Sequence, residues 1–203
     1  MRLFSVKVNA RMPRQPDPDL EARTVDAALR LLDRGGEALI TMRAVAAEAG
    51  TTTPTIYERF PDRERLMAAL VDHITREMVK VIGPRASVEG TVREFLRYAE
   101  AHPMRIPLSI STFGRRLVGG EEMPAYGLLK ARISAELGVR GRACEDAALA
   151  ITSLAFGTAL GIITAGGGTR HAAELRRSAM HALRRLLGAF SAGDVRRRKS
   201  ANG

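Results

Sequence analysis

The 203-residue chain holds one cysteine, no tryptophan, six phenylalanines and three tyrosines. The single thiol, Cys144, excludes an internal disulfide framework and any Cys-rich zinc site. It fits a reducing cytoplasm, which is the expected location, and reads as a small core filler. The four histidines, His73, His102, His171 and His181, show no ligand spacing, so no metal and no cofactor is expected. No Gly-rich phosphate loop follows a strand and no nucleophile motif is present, so an enzyme is not expected. Alternating apolar and polar residues, the mark of a half-buried strand, are also missing.

Acidic residues are outnumbered: 32 Lys and Arg stand against 22 Asp and Glu, for a net charge of +10. The excess is uneven. Residues 1–16 carry four bases and no acid, and residues 191–203 carry four bases against Asp194. Residues 17–70 are net acidic, with seven Arg against ten Asp and Glu. Such a balance suits a polyanionic partner and equally a solvated basic surface. One long uncharged run exists, residues 147–165, with Gly157 and Gly161 in a GxxxG pair. Its length is compatible with a membrane helix, but twelve of its nineteen residues are Ala, Gly, Thr or Ser. A helix buried in a soluble bundle is the expected reading, and no membrane partner is expected.

Breaks at Gly35-Gly36, Gly50, Pro61, Gly83-Pro84, Pro103, Gly119-Gly120, Gly138, Gly141 and Gly166-Gly167-Gly168 cut the chain into helix-sized pieces. Between them apolar residues recur at helical spacing. Examples are Val25, Ala28, Leu29 and Leu32, then Leu66, Leu70, Ile74, Met78 and Val81, then Val88, Val92, Phe95, Leu96 and Ala99. The expected fold is all-α, with about nine helices. Asp17 or Asp19, Thr41, Thr52 or Thr53, and Asp62 stand where N-caps belong. Pro107, close after Pro103, predicts a sixth helix that is short, kinked or delayed. Four segments follow: a basic, partly disordered arm over 1–16, a DNA-binding unit over 17–64, a helical effector and dimerisation unit over 65–190, and a basic disordered tail over 191–203. Arg196-Arg197-Arg198-Lys199 in that tail could add salt-sensitive DNA affinity or stand idle in solvent.

Residues 41–60 read TMRAVAAEAGTTTPTIYERF. Two short helices, Met42–Ala49 and Thr53–Phe60, are implied, with the turn at Gly50-Thr51-Thr52. This is the arithmetic of a helix-turn-helix. Val45, Ala46 and Ala49 give the first helix a small apolar face that permits close crossing. Ile56 and Phe60 can lock the second helix inward. Thr53, Pro54, Thr55 and Tyr57 are then left near its outer N-terminal side, the part of this motif that meets base edges in the major groove. Threonine hydroxyls can bond phosphates or bases, and their methyl groups can touch a thymine methyl. Arg43 projects from the first turn of the first helix. Arg63 opens the following helix, where guanidinium and backbone N–H could share one phosphate.

These residues resemble a known family. VDAALRLLDRGG, then TMRAVAAEAG, then TPTIYERFPDRERLMAAL are similar to the N-terminal domain of TetR/AcrR-type transcriptional regulators over residues 23–70. The resemblance implies a homodimer, a double-stranded DNA operator with two half-sites, and a larger helical domain for a small effector. By position it places Thr41 and Arg43 at the DNA backbone or groove edge, Thr52, Thr53, Thr55 and Tyr57 along the recognition helix, and Arg63 at a phosphate. Glu58 and Arg59 depart from the family's usual aromatic or His residues; Glu58 is expected to pair with Arg59 or a neighbour of Arg63, the alternative being a carboxylate that accepts from a cytosine amino group. A repressor released by its effector is the expected function. A regulator without an effector, an activator and a membrane-anchored helical protein are the alternatives.

In the second half, Phe95, Tyr98, Met104, Phe113, Tyr126 and Phe156 are candidates for a largely apolar effector pocket. Glu100, His102 and Arg105 could supply polarity, although exposure is expected for them. Helices over 145–165 and 171–190 are expected at the dimer interface, through Phe156, Gly157, Leu160, Gly161, Ala179, Leu183, Leu186 and Phe190. The three glycines at 166–168 would form the hinge between them.

Overall fold

A computed structural model describes residues 19–85 and 87–201, with side chains to Ser191. The N-terminal arm and the side chains of Arg196 to Lys199 therefore lie outside the described residues. Among the described residues the fold is all-α, with nine α-helices and no strand. They are α1 (Leu20–Gly35), α2 (Met42–Glu48), α3 (Thr53–Arg59), α4 (Arg63–Ile82), α5 (Val88–Ala101), α6 (Arg105–Val118), α7 (Pro124–Leu137), α8 (Gly141–Ala165) and α9 (Arg170–Ala201). A single 3-10 turn, Glu37–Leu39, precedes α2.

Local chemistry sets the boundaries. Thr41 Oγ1 accepts from Ala44 N at 3.1 Å, Thr52 Oγ1 from Thr55 N at 3.4 Å and Asp62 Oδ1 from Arg65 N at 2.7 Å. Each bond satisfies one amide that the helix start leaves without a partner. Gly138 closes α7 in the left-handed conformation at φ +71°, a geometry that disfavours a side chain. Pro107 neither shortens nor delays α6. It falls at the third helical position, where its missing N–H would have had no intrahelical acceptor, and α6 runs a full 14 residues. The last helix continues to Ala201, past residue 190, where the sequence pattern fades.

Helices α1, α2 and α3 form a small head. Helix α4 carries that head onto a bundle of α5 to α9 by packing against α1 at one end and α5, α6 and α7 along its length. The predicted stripes are buried, apart from Val81, which is 39% exposed while its neighbour Ile82 faces inward. One continuous core runs from Val25 and Leu32 in the head through Leu70 and Ile74 of α4 to Ile151 and Leu183.

Candidate nucleic-acid interface and ligand cavity

The head is built around α3. Ile56 is fully buried and Phe60 nearly so, in one cluster with Leu32, Val45 and Ala46. Burial of one such side chain stabilises the head by about 1.5–3 kcal/mol. Gly50, at φ +66°, makes the sharp turn, and Thr51 N donates to Ala46 O across it at 2.9 Å. Glu48 at the end of α2 is gripped by Arg34 and by Arg30, whose Nε lies 2.8 Å from its carboxylate. These bonds from Arg30 and Arg34 hold the Glu48 carboxyl below the ordinary carboxylate range. Helix α2 is thus fastened to α1, and α3 is offered outward.

Thr41, Arg43, Thr52, Pro54 and Tyr57 are exposed on that outer side, and Thr53 and Thr55 are half-buried beside them. Tyr57 is 48% exposed, so its ring is not a core element. Arg43 makes no ion pair or hydrogen bond among the described residues. The Thr52 and Thr55 hydroxyls bond each other at 2.8 Å, which couples the cap to the next turn. Arg63 Nε donates to Ile40 O at 2.9 Å and its Nη2 reaches Glu37 Oε1 at 3.0 Å. The guanidinium therefore braces the segment that presents Thr41. The pairing expected for Glu58 does not form: Arg59 turns back to Glu21 of α1, and Glu58 stays exposed with no partner among the described residues. Arg59 is drawn away because α1 crosses beneath the end of α3 and supplies a carboxylate there.

Below the head lies a cavity of about 110 Å³, walled by α4, α5, α6, α7 and α8. Four of the six predicted pocket residues line it: Phe95, Phe113, Tyr126 and Phe156. Their rings interlock. Phe113 meets Phe156 edge-on at 5.2 Å and Tyr126 at 5.5 Å, and Phe95 lies 5.7 Å from Phe156. Tyr98 and Met104 are not in it. Met104 is 43% exposed at the start of α6, and Tyr98 faces Arg105 instead. Sequence reasoning missed Thr152 and Arg116, both on the wall. The uncharged run around Thr152 offered no contrast to flag it, and Arg116 sits in an ordinary basic pair.

Arg105 is not exposed, contrary to expectation. It is 8% accessible, and its Nε and Nη2 grip both carboxylate oxygens of Asp33 in α1, at 2.8 and 2.7 Å. Its Nη1 reaches Glu77 Oε2 of α4 at 2.6 Å and the Tyr98 hydroxyl of α5 at 3.3 Å. The two-pronged bond to Asp33 raises the Arg105 pKa above its ordinary value, and burial raises that of Tyr98. Four helices therefore meet on one guanidinium. Glu100 lies elsewhere: it accepts from Gly168 N at 2.8 Å and pairs with Arg176, fixing the turn before α9.

Residues 25–70 match the family model for bacterial regulatory proteins of the tetR family. The N-terminal domain is a tetR-family domain. A curated relative, the HTH-type transcriptional repressor DrrR1 of Streptomyces coeruleorubidus, is 33% identical over 107 residues, which is 50% of this chain and 40% of that one. The chain thus spans less than half the length of that relative. Solved structures share the fold over nearly the whole chain. A tetR-family regulator from Streptomyces coelicolor is 19% identical with a TM-score of 0.65, covering 90% of this chain and 100% of that one. Mycobacterium smegmatis BioQ is 19% identical at 0.65, covering 85% and 97%. The multidrug binding protein EbrR, complexed with imidazole, is 23% identical at 0.60, covering 90% and 97%. The tetR-family head thus sits on a bundle of the same architecture as theirs.

Of the residues expected at a dimer interface, Ala179 and Leu183 are buried within the chain itself. Phe156 lines the cavity, and a Cβ at Gly161 would lie 3.2 Å from Leu175 of α9, so this glycine faces its own chain. Gly157, Leu160, Leu186 and Phe190 remain exposed or half-buried. Among the described residues α8 alone is long and apolar enough to cross a membrane, and it packs on α5, α7 and α9. Yet only 39% of its most apolar stretch is buried, which leaves a small-residue face uncovered.

Proposed function

We propose that the chain is a sequence-specific DNA-binding repressor, active as a homodimer and released from its operator by a small, largely apolar effector. One observation carries the reading. Helix α3 is anchored by Ile56 and Phe60 while Thr53, Pro54, Thr55 and Tyr57 stand on the side away from the core. A helix held that way can enter the major groove with its first turn at the base edges. Arg43 is free for the phosphate backbone, and Thr41 and Thr52 lie at the groove edge. Arg63 holds the Thr41 segment in place and flanks the same backbone. Phosphate contacts set position and base contacts set sequence.

The uncovered faces of α8 and α9, around Gly157, Leu160, Leu186 and Phe190, support pairing with a second copy, which would take this apolar surface out of water. Two copies would present two recognition helices about 34–36 Å apart, one turn of duplex. An effector that binds a wrongly spaced dimer better weakens operator binding by that difference, tenfold per roughly 1.4 kcal/mol. Helices α4 and α6 both wall the cavity, and Arg105 of α6 bridges Glu77 of α4 to Asp33 of the head. Spreading them would act on α1 directly.

The test is a gel shift on a duplex recovered by selection from random DNA. Tyr57→Ala and Thr53→Ala should each weaken binding. Undiminished affinity in both would remove the recognition-helix assignment.

A further inference from the structure

The cavity's polar groups define what can enter it. Among the described residues no Asp, Glu, Lys or His lines it, and Arg116 is the one charged residue on its wall. All three Arg116 nitrogens are engaged: Nη1 on Asp72 at 2.9 Å, Nε on Glu121 at 3.0 Å and Nη2 on Glu122 O at 3.4 Å. An anion would have to displace two carboxylates. A cation would meet a guanidinium and no countercharge, at the full cost of losing its hydration. The occupant is therefore neutral.

The hydroxyls go further. Thr75 donates to Val71 O, Ser109 to Arg105 O and Thr112 to Leu108 O, each on its own helix. The Tyr126 proton is committed to Glu145 at 2.7 Å. These groups have given their protons to the protein and can offer a ligand only oxygen lone pairs. Thr152 differs. It is 93% buried on the wall (7% accessible), and its hydroxyl has no partner among the described residues. Phe95, Phe113 and Phe156 share the wall with it, packed on one another at 5.2 and 5.7 Å, and give the space an aromatic lining. A cavity of about 110 Å³ is smaller than the engineered cavity of about 150 Å³ that takes benzene, so an aromatic occupant enters by shifting side chains on the wall.

We infer that the cavity takes a small neutral aromatic molecule bearing a hydrogen-bond donor, an aromatic N–H or a phenolic O–H, which it delivers to Thr152 Oγ1. The inference deepens the effector reading above and rests on it for any effect on DNA.

Indole is the probe, because a chain without tryptophan leaves its fluorescence unobscured. Benzofuran has the same shape without the N–H. Benzoate and phenyltrimethylammonium supply the two charges. Titrated into the full-length protein, indole should bind at least about tenfold tighter than benzofuran, and the two ions should not saturate. Thr152→Val, a near-isosteric change, should bring indole down to the benzofuran level and leave benzofuran unchanged; a circular-dichroism melt confirms the variant folds. Tighter binding of either ion, equal binding of indole and benzofuran, no binding of indole, or an unchanged ratio in Thr152→Val would each overturn the inference. A gel shift with and without indole then separates the two readings. Binding at Thr152 with unaltered DNA affinity leaves the ligand class standing and removes effector-controlled release.

Discussion

The recognition surface and the cavity treat polar side chains in opposite ways. On the head, Arg43 and Tyr57 stand in water with no protein partner among the described residues. In the cavity, nearly every hydroxyl proton and the whole Arg116 guanidinium are already bonded. The first arrangement suits a partner that brings dense charge and many acceptors, because free donors exchange water for phosphate at little cost. The second suits an apolar partner, because an unsatisfied polar group beside a ring costs about 1–3 kcal/mol. Between them sits Arg105, whose partners belong to both regions.

The sharpest break in that division comes from the anchors. Ile56→Ala should cost about 3 kcal/mol, measured by urea denaturation, and should abolish DNA binding while the C-terminal bundle still melts cooperatively. Arg105→Met comes next. Removing one partner of a fully buried ion pair costs about 3–5 kcal/mol. Asp33 and Glu77 are each more than a third exposed and can rehydrate, so about 2 kcal/mol is expected. The functional consequence is more telling: indole should still bind Arg105→Met, but its effect on the gel shift should fall to less than about twofold. Retained coupling in that variant would place the link elsewhere.

Changes on the free donors should be smaller and should leave stability alone. Tyr57→Ala and Thr53→Ala should each weaken operator binding by about tenfold, roughly 1.4 kcal/mol, with an unchanged melting temperature. Arg43→Ala should weaken binding to all duplexes alike and make the dependence on log salt shallower by about one. A sequence-selective loss in Arg43→Ala would move that residue from the backbone to a base edge.

What was legible in the sequence follows from how far apart the interacting residues lie. The head is local: Thr41, Thr52 and Asp62 cap within three residues, and Gly50 marks its own turn. The core stripes are local too, and Phe95, Phe113, Tyr126 and Phe156 stand out by residue type alone, as the aromatics an apolar wall uses. Arg105 was not, because Asp33 is 72 residues away and Glu77 is 28 away, and an isolated arginine is normally exposed. Tyr98 follows from the same omission, since Arg105 draws its hydroxyl out of the cavity wall. Ala179 and Leu183 show the remaining limit. A stripe on a helix says that a face is buried, but not whether its own chain or a second copy covers it.

His102 gives the smallest and most conditional test of the junction. Its ring lies 4.6 Å from that of Tyr98, beside Arg105 and within reach of the charges of Asp33 and Glu77. Burial, then the neighbouring Arg105, push its pKa below the ordinary 6.5, against a weaker upward pull from the two carboxylates. The folded protein therefore resists protonation more than the unfolded chain does. Stability from this residue is complete above 6.5 and is lost as pH falls from there through the lowered folded value. Between about pH 7.5 and about pH 5 the melting temperature should drop by about 1–3 °C from this source. His102→Gln should flatten that part of the profile, while His73 keeps its contact with Glu77 at 3.6 Å in both proteins. An identical slope in His102→Gln would assign the acid sensitivity to another group and leave Arg105 holding the head at every pH in the range.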